Sequence, residues 1–228
     1  MPRDLLARLD TEISACRACP RLVAWREAAA ADPPARYRGE QYWARPVPGF
    51  GPAAARLVVV GLAPAANGAN RTGRMFTGDR SGDWLYRALY RAGFANQPTS
   101  TDRNDGLSLR DARITAAVRC APPDNKPSTE ERVQCAPYLA REFALLSHAR
   151  VVVALGAFAY EAVWRMLAAD GVALPKPRPK FTHGLEVNAG EYVVLGSYHP
   201  SQQNTFTGKL TEAMLDAVFA RAAALVNE

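Results

Sequence analysis

Four cysteines and three histidines are few enough to be placed one by one. Cys16 and Cys19 form a Cys-x-x-Cys step, Cys120 closes an apolar run, and Cys135 follows on the next helical stretch. Such a pair, completed by two single thiols, chelates one metal or one cluster. Spacing alone leaves three readings open: four buried thiols, a structural zinc with four thiolates, or a [4Fe–4S] cluster. His148, His183 and His199 can donate, accept or carry a proton near neutral pH. Taken singly, each could as well be a structural or surface side chain.

Polar side chains, glycines and prolines concentrate in three stretches. They are Gly61–Asp79 (GLAPAANGANRTGRMFTGD), Arg119–Pro127 (RCAPPDNKP) and Gly196–Asn204 (GSYHPSQQN). Asp79 can act as a base or offset a developing cation, but it also stands where it would cap a helix starting near Ser81. Asn125 can read a base edge with one acceptor and one donor, or simply form a turn before Pro127.

These stretches follow the elements that must position them. Leu57–Val60, Ile114–Val118, Val151–Leu155 and Tyr192–Leu195 are apolar runs suited to strands buried on both faces. Helical patterns cover Ser81–Ala92, Thr129–Ser147, Ala157–Ala168 and Leu210–Val226, with Ser128 and Glu131 spaced as a capping box. The alternation predicts a three-layer α/β/α sandwich around a central, mainly parallel sheet of about four strands. A further strand is expected after the basic Pro-rich loop 171–180. The three polar stretches then fall at the carboxyl ends of strands, where ligands bind in such sheets. Ahead of the sheet lie a short amphipathic helix over 3–14, a second over Leu22–Ala30, and an irregular connection over 33–54.

The chain has 228 residues, 48% of them hydrophobic and 22% charged, which excludes a disordered protein and suits one domain over 1–228. The net charge of +6 favours a polyanionic partner only weakly. The N-terminal segment carries Asp4, Asp10 and Glu12 without an unbroken apolar stretch, so neither a secretory signal nor a transit peptide is expected. The longest apolar run, Val151 to Tyr160, is too short to span a bilayer. A cytoplasmic location follows as the expectation, and with it reduced thiols.

Long motifs in the correct order make the chain resemble the family 5 (type B) uracil-DNA glycosylases of bacteria and archaea. They are CxxCPRLVAWRE at 16–27, RGEQYWARPVPGFG at 38–51, GLAPAANGANRTGRMFTGD at 61–79, TAAVRCAPPDNKPS at 115–128 and SYHPSQQNTFTGKLT at 197–211. The resemblance implies that Cys16, Cys19, Cys120 and Cys135 hold a [4Fe–4S] cluster tying the arm 1–54 to the core. It implies a monomer acting on chromosomal DNA containing uracil, hypoxanthine or other deaminated bases. The reaction implied is hydrolysis of the N-glycosidic bond, leaving an abasic site. No lysine other than Lys126 lies in these loops to form a Schiff base, which suits a monofunctional hydrolase.

On the same basis Phe76 is the stacking platform for the flipped base, although a core phenylalanine would look alike. Asn125 reads the base edge, backbone at Gly61, Leu62 and Ala63 approaches the base, and His199 stabilises charge on the departing base. Asp79 is the acid of choice, since Ala65 and Ala66 occupy the place where related families carry one. Arg71, Arg74 and Lys126 are expected at phosphates, and Ser201, Gln202, Gln203 and Asn204 in the segment that fills the gap left by the flipped base. One departure stands out: Asn67 replaces the usual histidine of the family, facing the sugar or the attacking water. It opens an alternative, a catalytically weakened protein that only binds uracil-DNA. An iron–sulfur electron carrier would explain the cysteines but not the loops.

Overall fold

The computed structural model describes residues 2–228. In chain order the elements are helix α1 (Pro2–Ala15), helix α2 (Pro20–Ala31), strand β1 (Leu57–Gly61), the short helix α3 (Ala69–Thr72) and helix α4 (Arg80–Arg91). Strand β2 (Ala112–Ala116), helix α5 (Thr129–Leu145), strand β3 (Val151–Leu155) and helix α6 (Ala157–Ala169) follow. The chain ends with strands β4 (Glu186–Ala189) and β5 (Tyr192–Ser197), the short helix α7 (Gln202–Phe206) and helix α8 (Glu212–Asn227).

The five strands run in the order β2-β1-β3-β5-β4, all neighbours parallel except β4, which pairs antiparallel with β5 at one edge. Register places Val59 beside both Ile114 and Val153, and Val153 beside Leu195. Successive strand residues point to opposite faces. Leu57, Val59, Ile114, Val153 and Leu195 therefore pack into the core beneath α4 and α8. Val58, Val60, Val152 and Val194 pack into a second core beneath α1, α5 and α6. Burial on both faces accounts for the unbroken apolar runs. The three-layer α/β/α sandwich is as expected, with five strands instead of about four. The additional one, β4, follows the Pro-rich loop and alternates exposed with buried residues, as an edge strand does.

Strand β2 begins two residues earlier than its apolar run indicates, because it carries a charge inside the second layer. Arg113, almost fully buried, donates from Nε to Glu142 Oε1 at 2.6 Å and from a terminal nitrogen to Asp10 Oδ1 at 2.8 Å. Thr115 Oγ1 donates to Glu142 Oε2 at 2.6 Å, and Arg119 adds a third donor at 2.5 Å. Burial alone would raise the Glu142 carboxyl, yet Arg119 and Arg113 hold it down to about 2. This network ties β2, α1, α5 and the loop after β2 into one unit, and it sets where Cys120 lies.

Candidate active site

The loop after β1 turns back at once through Pro64 and enters α3. Gly61 is needed at the turn, since a Cβ there would stand 2.8 Å from the Phe76 ring. Phe76 has φ of 52° and is 8% exposed. Its ring lies 5.7 Å from that of His199, tilted by 32°, joining the ends of β1 and β5. Burial lowers the His199 imidazole to about 4, so the ring is neutral at physiological pH. Its backbone carbonyl accepts from the Asn204 amide at 2.9 Å.

Beside this pair opens a cleft of about 520 Å³ that brings together Ala65, Ala66, Asn67, Gly68, Asp79 and Asn125. Asp79 is the N-cap of α4, accepting the Gly82 N–H at 2.9 Å through Oδ1. Its other oxygen, Oδ2, lies against Gly68, where a Cβ would approach to 2.0 Å. Burial raises the Asp79 carboxyl above its ordinary value, against the Gly82 hydrogen bond that lowers it. Capping and cleft-facing positions are thus compatible, one oxygen for each. Asn125 is exposed in the left-handed region at φ 55°, directly after Asp124 at φ 52°. Asparagine tolerates that backbone better than most residues, and the bend sets it at the cleft edge. Asn67 Oδ1 accepts from the Tyr42 hydroxyl at 2.9 Å.

Two arginines expected at phosphates are engaged within the protein. Arg74 is 4% exposed and pairs with Asp105 at 2.7 Å, with Nε donating to Thr77 Oγ1. Arg71 donates to Glu40, the Asn67 carbonyl and the Gly78 carbonyl, beneath the Tyr37 ring. Arg74 is thereby spent inside the loop, whereas Arg71, also neutralised, keeps a partly exposed edge on the polar groove beside the cleft. Ser201 and Asn204 are likewise engaged at home, the first capping α7 and the second bonding His199. Gln202 and Gln203 remain exposed, and Gln202 lines the cleft. Lys126 is exposed beside Asn125, with its carbonyl taken by Arg21. Leu62 turns its side chain to a separate groove between α5 and α6, and Ala63 packs near the cysteines, so both can serve the cleft only through backbone. His183 is half-buried and structural, its Nδ1 accepting the Tyr198 N–H at 3.2 Å, and His148 is exposed.

The cleft also holds Trp25, Arg36, Tyr37, Arg80 and Phe206, none of them singled out from the sequence. The first three belong to α2 and the connection over 33–54. Its density of arginines and aromatics was the available signal, but only its packing shows that it forms a wall.

The four cysteines are unpaired with one another and line a single small cavity with Leu22, Val118 and Tyr138. Among the described residues no three His, Cys, Asp or Glu side chains meet closely enough to hold one ion. Burial pushes the Cys120 thiol up to about 12 and the Cys135 thiol up to about 11. Donors stand ready to compensate a negative sulfur: Arg26 approaches Cys120 Sγ at 3.0 Å, and the Arg119 N–H approaches Cys135 Sγ at 3.3 Å. Arg26 is 2% exposed, and its Nε is buried without a partner. An uncompensated buried guanidinium is costly. A donor set of four thiols beside that cation fits an anionic, thiolate-held group.

Residues 48–223 match the profile of the uracil DNA glycosylase superfamily. The chain is 54% identical to the type-5 uracil-DNA glycosylase of Mycobacterium tuberculosis over 224 residues, covering 97% of this chain and 82% of that protein. It is 54% identical to the Mycobacterium leprae type-5 enzyme over 217 residues, covering 94% and 93%. Identity to the type-5 enzyme of Thermus thermophilus is 50% over 216 residues, covering 94% and 95%.

Proposed function

The chain belongs to the uracil-DNA glycosylase superfamily as a type-5 member, and from that premise we propose how its cleft works and on what. It is a monofunctional glycosylase of DNA repair that hydrolyses the bond between uracil and deoxyribose. The range extends to hypoxanthine and other deaminated bases, and the protein acts as a monomer on chromosomal DNA in the cytoplasm. No described helix is long and apolar enough to cross a membrane.

A stacked base is out of reach, so the nucleotide is extruded into the cleft. Phe76 and backbone at Gly61–Ala63 receive the base, and Asn125 pairs with its edge. As the glycosidic bond breaks, the sugar becomes positive and the base negative. His199, held neutral by its surroundings, donates to the carbonyl oxygen that gains charge, with no proton transfer needed. Asp79 faces the positive sugar and orients water, and its raised pKa suits a base better than an ordinary exposed carboxylate would. Asn67 holds a donor beside it in place of histidine. A protein that only binds uracil-DNA is not favoured: Asp79 and Asn125 share the cleft with Asn67, and the relatives are named as glycosylases.

The four cysteines would hold a [4Fe–4S] cluster, a group that takes four thiolates. Its place is structural, pinning α2 and the arm against the loops after β1 and β2. Arg26 carries this, since it touches Cys120 and its carbonyl accepts from Asn70, next to the substrate loop.

The observation that carries the catalytic reading is the Asp79 carboxylate, with one oxygen capping α4 and the other against Gly68 in the cleft. The test is a gel assay on labelled duplexes containing uracil or hypoxanthine, with alkaline cleavage of abasic sites. Cleavage at uracil is expected, and cleavage at hypoxanthine marks the broader range. Tight binding without cleavage at either base would sink the catalytic reading.

A further inference from the structure

The exposed arginines differ in what holds them. Arg17, Arg91, Arg141 and Arg221 each face a carboxylate at 2.6–2.9 Å. Four others stand over aromatic rings without such a partner. Arg36 lies 4.6 Å from the Tyr37 centroid and Arg80 lies 4.4 Å from Phe206. Arg103 and Arg45 lie 4.5 and 5.6 Å from the two-ringed side chain of Trp43. Among the described residues none of these four has a carboxylate at ion-pair distance. A ring positions a guanidinium without neutralising it, and leaves its in-plane N–H donors open to a bidentate oxygen partner.

Their placement is not scattered. Arg36 and Arg80 line the cleft. Arg45 and Arg103 line a neighbouring polar groove of about 460 Å³ that also contains Tyr42, Trp43 and Asp102. The two cavities share a wall, since Tyr42 of the groove bonds Asn67 of the cleft. Trp43 is a fixed platform: its indole N–H donates to the Pro46 carbonyl at 3.1 Å, its backbone N–H to the Arg71 carbonyl at 2.9 Å, and its ring closes on Gly73. Of the acids in the groove, Glu40 is neutralised by Arg71, and Asp102 accepts the Asn104 N–H within its own turn.

We propose that this groove is a second DNA-binding segment, in which Arg45 and Arg103 take phosphates of the strand running on from the flipped nucleotide. The proposal rests on the uracil-DNA reading of the cleft. It relocates the phosphate ligands from Arg71 and Arg74, which serve the loop, to side chains held ready on Trp43. The footprint becomes continuous: Arg36 and Arg80 at the extruded nucleotide, Arg45 and Arg103 beyond the Tyr42 wall.

The test compares the parent protein, the Arg45→Gln/Arg103→Gln double variant and an Arg91→Gln control on a long uracil duplex and a uracil trinucleotide. The trinucleotide fills the cleft and leaves the groove empty. For the double variant, the slope of log affinity against log salt on the duplex should fall in magnitude by ~1.8, about 0.9 for each phosphate no longer neutralised. Its release of uracil from the trinucleotide should match the parent, as should its melting temperature. An unchanged duplex slope and affinity, with the parent still releasing uracil, overturns the groove and leaves the glycosylase reading standing. An equal slope change in Arg91→Gln also overturns it, since net charge alone would then explain the effect. A parent that releases no uracil from either substrate overturns the reading of the cleft, and the groove with it.

Discussion

Replacing Gly68 by alanine isolates the position of the Asp79 carboxylate from its presence. A Cβ at residue 68 would lie 2.0 Å from Asp79 Oδ2, whereas ordinary van der Waals separation begins near 3.4 Å. The carboxylate must therefore retreat by about 1.4 Å, or α3 must shift by as much. A displacement of about 1 Å in a reacting group can cost about 100-fold in rate, because the near-attack geometry is lost. Single-turnover uracil release by Gly68→Ala should thus fall at least about 100-fold, with duplex affinity nearly unchanged. The same shift strains the hydrogen bond to the Gly82 N–H, a cap worth about 1 kcal/mol. At roughly 2–4 °C per kcal/mol for a chain of this size, melting should drop by only a few degrees. Asp79→Asn supplies the converse. Asparagine still caps, and it removes a carboxylate whose raised pKa means that the folded state disfavours its charge at neutral pH. That variant should melt at or above the parent temperature while losing about 100-fold or more in rate. The double variant should be no slower than the slower single, since both act on one group. Near-normal turnover in Gly68→Ala alongside lower melting would refute the reasoning and leave Asp79 a helix cap.

Three further outcomes follow from groups described above. Because burial depresses the His199 pKa to about 4, the rate of bond cleavage should show no histidine limb near pH 6.5. The stability from keeping this ring neutral is complete above about pH 6.5 and is lost as pH falls toward about 4. A stopped-flow pH profile with a midpoint between 6 and 7 that vanishes in His199→Asn would contradict this. Removing the buried carboxylate in Glu142→Ala strands Arg119 and leaves Arg113 with Asp10 alone, and should cost about 3–5 kcal/mol in denaturant unfolding; a loss below about 1 kcal/mol would mean that Arg119 finds another partner. Cys135→Ser should remove broad absorbance near roughly 400 nm from anaerobically purified protein. A colourless parent holding stoichiometric zinc would assign the thiols to that metal.

The central strands were legible because burial on both faces leaves Leu57–Val60 and Val151–Leu155 without a polar residue. The start of β2 was not, since Arg113 reads as a boundary until its partners Asp10 and Glu142, far away in sequence, are seen. Strand-end topology put the stretches holding Asp79, Asn67 and Asn125 at one edge of the sheet, and the family resemblance singled these residues out within them. Arg74 shows the opposite case. Its sequence neighbourhood suggests a phosphate ligand, but Asp105 neutralises it from a separate loop. Tyr37 and Arg36 reach the cleft only through the packing of an irregular segment, for which no periodicity gives a direction.

The bonds that seat the N-terminal arm have a consequence for the order in which the molecule is made. Asp10 waits for Arg113, Arg21 for Glu131, and Arg26 for Cys120, each 94–110 positions downstream. At about 5–20 residues per second of synthesis, the Cys16–Cys19 pair emerges several seconds or more before its partners exist. During that interval it is a bare dithiol in the link between two unanchored helices, open to oxidants and stray metal ions. Closure of the arm, and with it the seating of Trp25, Arg36 and Tyr37 at the cleft, therefore waits until the chain has been made past Glu131.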